Sequence, residues 1–243
     1  MNNPIQFIDP NGMWVSPIYD TEGNFLGTDE YGLQGSAWVL KKENFVQGMS
    51  EAEAAKYHTY TEGDPNYGFD SPEAAMKYAN HFVNLPNRPD YDGFVTVNEG
   101  IAWAKQNPEA LDNPTADNML YLNTSKLDFG NISISDFRNG VGKPSPINLL
   151  NTGNLSASSG NVKLRGTVYA LGKVEMELHD KLGTVSIVND FNKSERANDY
   201  DWNPGGGPLR NSLIRAERAR TGLNDNHGFR VYCYGKGLLN TKP

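Results

Sequence analysis

The stretch Val174-Glu175-Met176-Glu177-Leu178-His179-Asp180-Lys181-Leu182-Gly183-Thr184-Val185-Ser186-Ile187 decides the fold class. Val174, Met176 and Leu178, then Val185 and Ile187, alternate with polar residues at period two, as strands with one face in a core do. Lys181-Leu182-Gly183 supplies the turn between them. Upstream, Val162, Leu164, Val168 and Ala170 carry the same alternation, and Met119-Leu120-Tyr121-Leu122 and Ile132-Ser133-Ile134 read as short strands. Downstream, Asn198-Asp199-Tyr200-Asp201-Trp202-Asn203-Pro204-Gly205-Gly206-Gly207 interrupts, a helix is predicted from Pro208 to Thr221, and Phe229 to Tyr234 closes as a strand. The C-terminal part is expected to be a small antiparallel β-sheet unit, β-β-β-loop-α-β.

The preceding sequence has a different period. Tyr19 to Asp29 reads as a hairpin with Glu22-Gly23-Asn24 as its turn. Helices are expected at 51–58 behind Ser50, at 72–83 behind Ser71 with Pro72 in the first position, and from Glu99 to Gln106 behind Asn98. Ala75, Met76, Tyr78, Ala79, Phe82 and Val83 supply the buried stripe of the second. The expected class is α+β, a helical and irregular N-terminal part joined to the β unit. Its segments are a junction over 1–50, a mainly helical region over 51–118 and a β-rich active unit over 119–243.

Composition limits what such a chain does. At 243 residues it is long enough for a full core, and 11% aromatic content argues against wholesale disorder. Glycine (25), proline (14) and asparagine (28) favour short elements and many turns. The single cysteine, Cys233, excludes an internal disulfide and a thiolate zinc cluster, and reads as a packed strand residue. No apolar run has the length of a membrane span, and Met1-Asn2-Asn3-Pro4 carries no basic, apolar leader, so stable membrane insertion is not expected. Residues 1–120 hold 18 acidic against 6 basic side chains, whereas residues 121–243 hold 11 against 16. A basic C-terminal half suits an anionic ligand such as phosphate, pyrophosphate or nucleic acid; two plain solvated faces are the alternative.

The residues that carry chemistry gather in 198–210. In an extended backbone Asp199 and Asp201 project to one face, so both can hold one cation or share acid/base work. Gly205, Gly206 and Gly207 permit close backbone approach, and a helix starting at Pro208 aims free N–H groups at an anion. Arg210 lies in its first turn. Asn211, Arg215 and Arg218 share one face, and Leu209, Leu213, Ile214 and Ala216 supply the buried side. The plain alternative is an exposed turn held by Asx bonds, with arginines solvating a helix. Asp128-Phe129-Gly130 spells the kinase tripeptide without its companions, so it is a chance match. His58, His81, His179 and His227 form no helical metal-ligand pair and read individually as surface or satisfied residues.

Two resemblances follow from these residues. Asn2-Asn3-Pro4-Ile5 with Ile8-Asp9-Pro10-Asn11-Gly12 resembles the closing motif of bacterial Rhs-repeat core domains. The run from Gly23 to Asp29 and Asp90-Tyr91-Asp92-Gly93-Phe94-Val95-Thr96 resemble Bacteroidetes Rhs C-termini. That implies an antibacterial effector, delivered by a contact-dependent system such as type VI into a target bacterium and paired with a cognate immunity protein.

Tyr200, Asp201, Asn203 and Pro204, with strands, loop, helix and strand over 161–236, are similar to the active-site region of the colicin M family. This implies Mg²⁺-assisted hydrolysis of a phosphoester in a lipid-linked cell-wall pyrophosphate, in the periplasm. Asp201 is then metal ligand or base, Asp199 or Asp190 its partner, Tyr200 a further catalytic candidate, and Arg210 with the helix N-terminus stabilises charge on the phosphate. Asn198 stands where that family has its first Asp, and Gly207-Pro208 where it has His-Arg. Asp199 fills the first place by a register change, and His227 or Arg210 the second if the fold brings them near. A nuclease-type toxin and a non-catalytic effector binding its target through Tyr200 and Trp202 stay open as alternatives.

Overall fold

The computed structural model describes residues 15–189, 199–201, 208–223 and 228–240; the Rhs-like motif of residues 2–12 lies outside them. The chain is α+β, and it divides into two compact units, Met1–Asp92 and Gly93–Pro243.

In the first unit β1 (Val15–Tyr19) turns back into β2 (Phe25–Thr28) as the expected antiparallel hairpin, with Tyr19 opposite Phe25. The turn is an Asx turn: the buried Asp20 carboxylate accepts the N–H groups of Glu22 at 3.0 Å and Asn24 at 2.8 Å. Gly23 needs its residue type, because φ is +78° and a Cβ would strike the carbonyl oxygen of Ala74. β3 (Ser36–Val39) lies parallel to β1 on its other edge, giving the order β2-β1-β3.

Both following helices start at the expected serines. α1 (Glu51–Tyr57) begins with a capping box between Ser50 and Glu53, and α2 (Pro72–Phe82) with Ser71 accepting the Ala74 N–H. The stripe on α2 differs from expectation. Tyr78 and Ala79 are buried, but Ala74 replaces Ala75, and Met76 and Val83 are 54% and 53% exposed. Aromatic packing sets the rotation of the helix: Tyr78 meets the Tyr19 ring edge-on at 4.7 Å and stacks on Phe69 at 5.0 Å, which brings 74, 78 and 82 inward.

In the second unit α3 (Val97–Gln106) starts two residues earlier than expected, because Thr96, not Asn98, closes a capping box with Glu99. β4 (Leu120–Asn123) matches the sequence reading. Ile132-Ser133-Ile134 is no strand: the Asp136 carboxylate accepts the Ser133 backbone N–H at 2.8 Å and its hydroxyl at 3.0 Å, folding 134–136 into one tight turn. β5 (Pro144–Asn148) and α4 (Thr152–Ala157) follow.

The segment expected as a strand at 162–170 is a helix, α5 (Val162–Leu171). Its Asn161 cap accepts the Leu164 N–H at 3.0 Å, and Leu164, Val168 and Leu171 are buried at helical spacing while Val162 is exposed. β6 (Lys173–Leu178), β7 (Thr184–Ile187), β8 (Asp199–Asp201), α6 (Pro208–Thr221), β9 (Gly228–Tyr234) and β10 (Gly237–Leu238) complete the chain. One sheet is antiparallel, β10-β7-β6-β5. The other, β4-β9-β8, is mixed: β4 runs parallel to β9 and β8 antiparallel to it.

Leu120, Leu122, Phe129, Leu164, Val168, Met176, Val185, Phe229 and Val231 form the core of this unit. The kinase-like tripeptide has a structural job there. Asp128 accepts from the Gly130 N–H, Asn240 Nδ2 and Asn161 Nδ2, each at 2.8 Å, tying the chain end to the start of α5. Buried Asn154 accepts the Asn131 N–H at 2.8 Å and donates to the carbonyls of Phe129 at 3.2 Å and Leu149 at 3.1 Å.

One buried group in the first unit makes stability depend on pH. Asp29 is fully buried; one carboxyl oxygen accepts the Tyr31 N–H at 2.8 Å and the other has no partner. Burial, reinforced by the charges of Glu30 and Glu51 and opposed by the Tyr31 amide, pushes its pKa up to about 8. The unfolded chain releases this proton near pH 4 and the folded chain keeps it, so stability falls as pH rises from about 4 to about 8. Urea denaturation should show that fall in the native chain and a flatter profile in Asp29→Asn. Equal pH slopes for the two proteins would contradict it.

Candidate functional site

The segment singled out by sequence begins on β8. Asp199, Tyr200 and Asp201 are extended as expected and pair antiparallel with β9, Asp199 opposite Arg230, Tyr200 opposite Phe229 and Asp201 opposite Gly228. Strand alternation gives positions 199 and 201 the parity of Arg230, and position 200 the parity of Phe229, which is wholly buried. Two carboxylate positions thus share a strand face with a cation. Arg230 is the residue that sequence reasoning missed; the signal was present in the period-two alternation of Phe229, Val231 and Cys233, which assigns Arg230 to the opposite face.

α6 begins at Pro208 as expected, so the order strand, loop, helix, strand holds. Arg210 sits in its first turn, and Asn211, Arg215 and Arg218 follow at helical spacing, with Arg215 exposed and Asn211 half-buried. Ala216, expected on the buried side, is exposed. Asp190, Trp202, Asn203, Pro204, Gly205, Gly206, Gly207 and His227 lie outside the described residues.

What fixes this region is β9. Phe229, Val231 and Cys233 are buried, and on the edge shared with β8 the side chain of Asn189 takes over at Cys233. Its Oδ1 accepts the Cys233 N–H at 2.8 Å and its Nδ2 donates to the Cys233 carbonyl at 2.6 Å. Arg230 and Cys233 are three residues apart, about 10 Å at strand rise. The chain is therefore pinned at residue 189 and again at residue 199 along one strand edge. α5 runs beside β8.

The donor chemistry suits a hard cation: two carboxylate positions on one face are oxygen ligands of the kind Mg²⁺ takes. Among the described residues no three His, Cys, Asp or Glu side chains lie close enough to hold an ion. Cys233 is not a nucleophile, since burial pushes its thiol well above the ordinary range. Burial holds His58 below the ordinary histidine value, against the Val39 backbone hydrogen bond; its Nδ1 lies 3.0 Å from the Val39 carbonyl. His81 Nδ1 meets the Tyr19 hydroxyl at 2.8 Å, and its ring stacks on Phe25 at 5.0 Å.

Among the described residues no helix is long and apolar enough to cross a membrane. No protein-family model, curated protein or solved structure matches the chain. The role of Asn189 is testable directly. Asn189→Ala removes the partners of both the N–H and the C=O of buried Cys233 and should cost about 1 to 3 kcal/mol in denaturant unfolding. It should also speed reaction of Cys233 with an aromatic disulfide reagent; unchanged stability and thiol reactivity would contradict the clamp.

Proposed function

We propose that the chain is an antibacterial effector of the Rhs type whose β8–α6–β9 segment hydrolyses a phosphoester beside a pyrophosphate, in a lipid-linked cell-wall precursor. The observation that supports it is the pairing of Asp199–Asp201 with β9, which lines up two carboxylate positions with Arg230 on a strand that runs on toward a helix start. Asp201 and Asp199, with Asp190, are the residues that would hold Mg²⁺, which when bound supplies neutralisation of phosphate charge.

The protein's own groups then have separate tasks. Asp201, where it does not ligate the cation, takes the proton of the attacking water. Arg210 and the N–H groups at the start of α6 stabilise charge growing on the phosphate, each such donor contributing about 3 kcal/mol. The arginines Arg215 and Arg218, together with Gly205, Gly206 and Gly207, bind the distal phosphate, and His227 protonates the leaving group. A cognate immunity protein that covers this basic region protects the producing cell.

The test is compartment-specific. The full chain is expressed in a test bacterium in the cytoplasm or, behind an export signal, in the periplasm, each with and without Asp201→Ala. Lysis only from the periplasm, abolished by the substitution, is the expected result, with release of pyrophosphate-linked product from purified lipid precursor. Killing only from the cytoplasm, degradation of plasmid or RNA by the purified protein, or lysis retained in Asp201→Ala would overturn the reading.

A further inference from the structure

We propose that the β6–β7 hairpin carries a second reactive site, a serine nucleophile at Ser186 that accepts acyl groups from activated esters. The inference is independent of the phosphoester reading and uses none of its residues. Ser186 Oγ lies 2.8 Å from His179 Nε2, and His179 Nδ1 lies 3.5 Å from Glu177 Oε1. Nucleophile, base and orienting carboxylate stand in that order along one line of contacts.

The hairpin explains why they meet. Glu177 and Ser186 are directly opposed across the strands, and the His179 N–H donates to the Thr184 carbonyl at 2.8 Å, which brings the ring over its cross-strand neighbours. Val174, Met176, Leu178, Val185 and Ile187 fill the core, so alternation leaves Glu177 and Ser186 on the other face. His179 and Glu177 side chains are 25% and 31% exposed, so a substrate can reach them. The turn is held by Asp180, whose Oδ1 accepts the N–H groups of Leu182 at 2.9 Å and Thr184 at 3.0 Å. A site on paired strands with a braced turn is rigid.

The chemistry of the partners assigns the protons. An ionised Glu177 only accepts, so it favours the His179 tautomer with hydrogen on Nδ1 and leaves Nε2 to accept from the Ser186 hydroxyl. Oγ attacks the ester carbonyl carbon as its proton passes to Nε2. The bond to the alcohol breaks, the alcohol leaves with that proton, and an acyl-serine remains. Water, deprotonated by Nε2, then attacks the acyl-serine; the carboxylic acid departs and Ser186 regains its proton.

The substrate class follows from what flanks the site. Leu238 lies opposite Thr184 and is 65% exposed, and Leu182 in the turn is 78% exposed, which favours an ester with an apolar acyl chain. The ladder spends the Ser186 amide: the backbone bonds His179 to Thr184 and Val188 to Glu175 make Glu177–Ser186 a hydrogen-bonded pair. With that amide engaged rather than aimed at an oxyanion, the site takes esters with good leaving groups and leaves peptides and alkyl esters intact.

The experiment uses the full chain with p-nitrophenyl butyrate, and intact-mass and peptide mapping to locate the acyl group. A butyryl adduct on Ser186 is expected, absent in Ser186→Ala. His179→Ala should slow acylation about 100-fold and be restored in part by added imidazole. Glu177→Gln, a positioning variant, should lower the acylation rate about tenfold without moving KM. All three are half-buried on the strand face away from the core, and an unchanged melting temperature confirms that each variant folds. The absence of both p-nitrophenol release and an acid-quenched adduct in the native chain, an adduct only on lysines, or acylation retained in Ser186→Ala would overturn the proposal.

Discussion

A buried strand must satisfy its backbone on both edges, and β9 shows how strictly that governs the second unit. With Phe229 and Val231 sealed from water and Cys233 nearly so, its N–H and C=O groups cannot be left to solvent. β4 serves one edge, from Leu120 opposite Val231 to Asn123 opposite Tyr234. The other edge is divided: β8 serves residues 228 to 230, and the amide of Asn189 stands in for a strand at Cys233. The register of the acidic residues therefore follows from the packing of β9.

That placement has an electrostatic consequence. Two acidic positions on one short strand repel unless a positive charge lies near, and the register sets Arg230 opposite the first of them. A slip of one residue would exchange the faces, turning the carboxylate positions toward the parity of Phe229 and Tyr200 toward Arg230. Charged groups do not survive in such a core without partners, so the hydrophobic pattern of β9 guards the register of β8.

The parts of this architecture that were legible in the sequence are those with one strong local signal. Ser50 and Ser71 announce their helices, Gly23 its turn, and the alternation of Val174 to Ile187 its hairpin. Where two periods fit the same residues, local reading fails. Leu164 and Val168 satisfy strand alternation and the helical i, i+4 spacing alike, and α5 is buried on so many sides that only its Asn161 cap separates the two readings. Ile132 and Ile134 look equivalent in sequence, yet one is buried and the other exposed because Asp136 caps Ser133 between them. The candidate site was half legible. The carboxylate spacing and the helix start could be read locally; Arg230 and Asn189 act across 31 and 44 residues of chain, from Asp199 and to Cys233 respectively, and only pairing reveals them.

The central claim, that β8 joins β9 in the one register that aligns the acidic pair with Arg230, is tested most directly by cross-strand backbone contacts in solution. Nuclear Overhauser spectra of the isotopically labelled chain should connect residue 199 with 230 and residue 201 with 228. Contacts linking residue 200 with 230, or none between 199–201 and β9, would contradict the account.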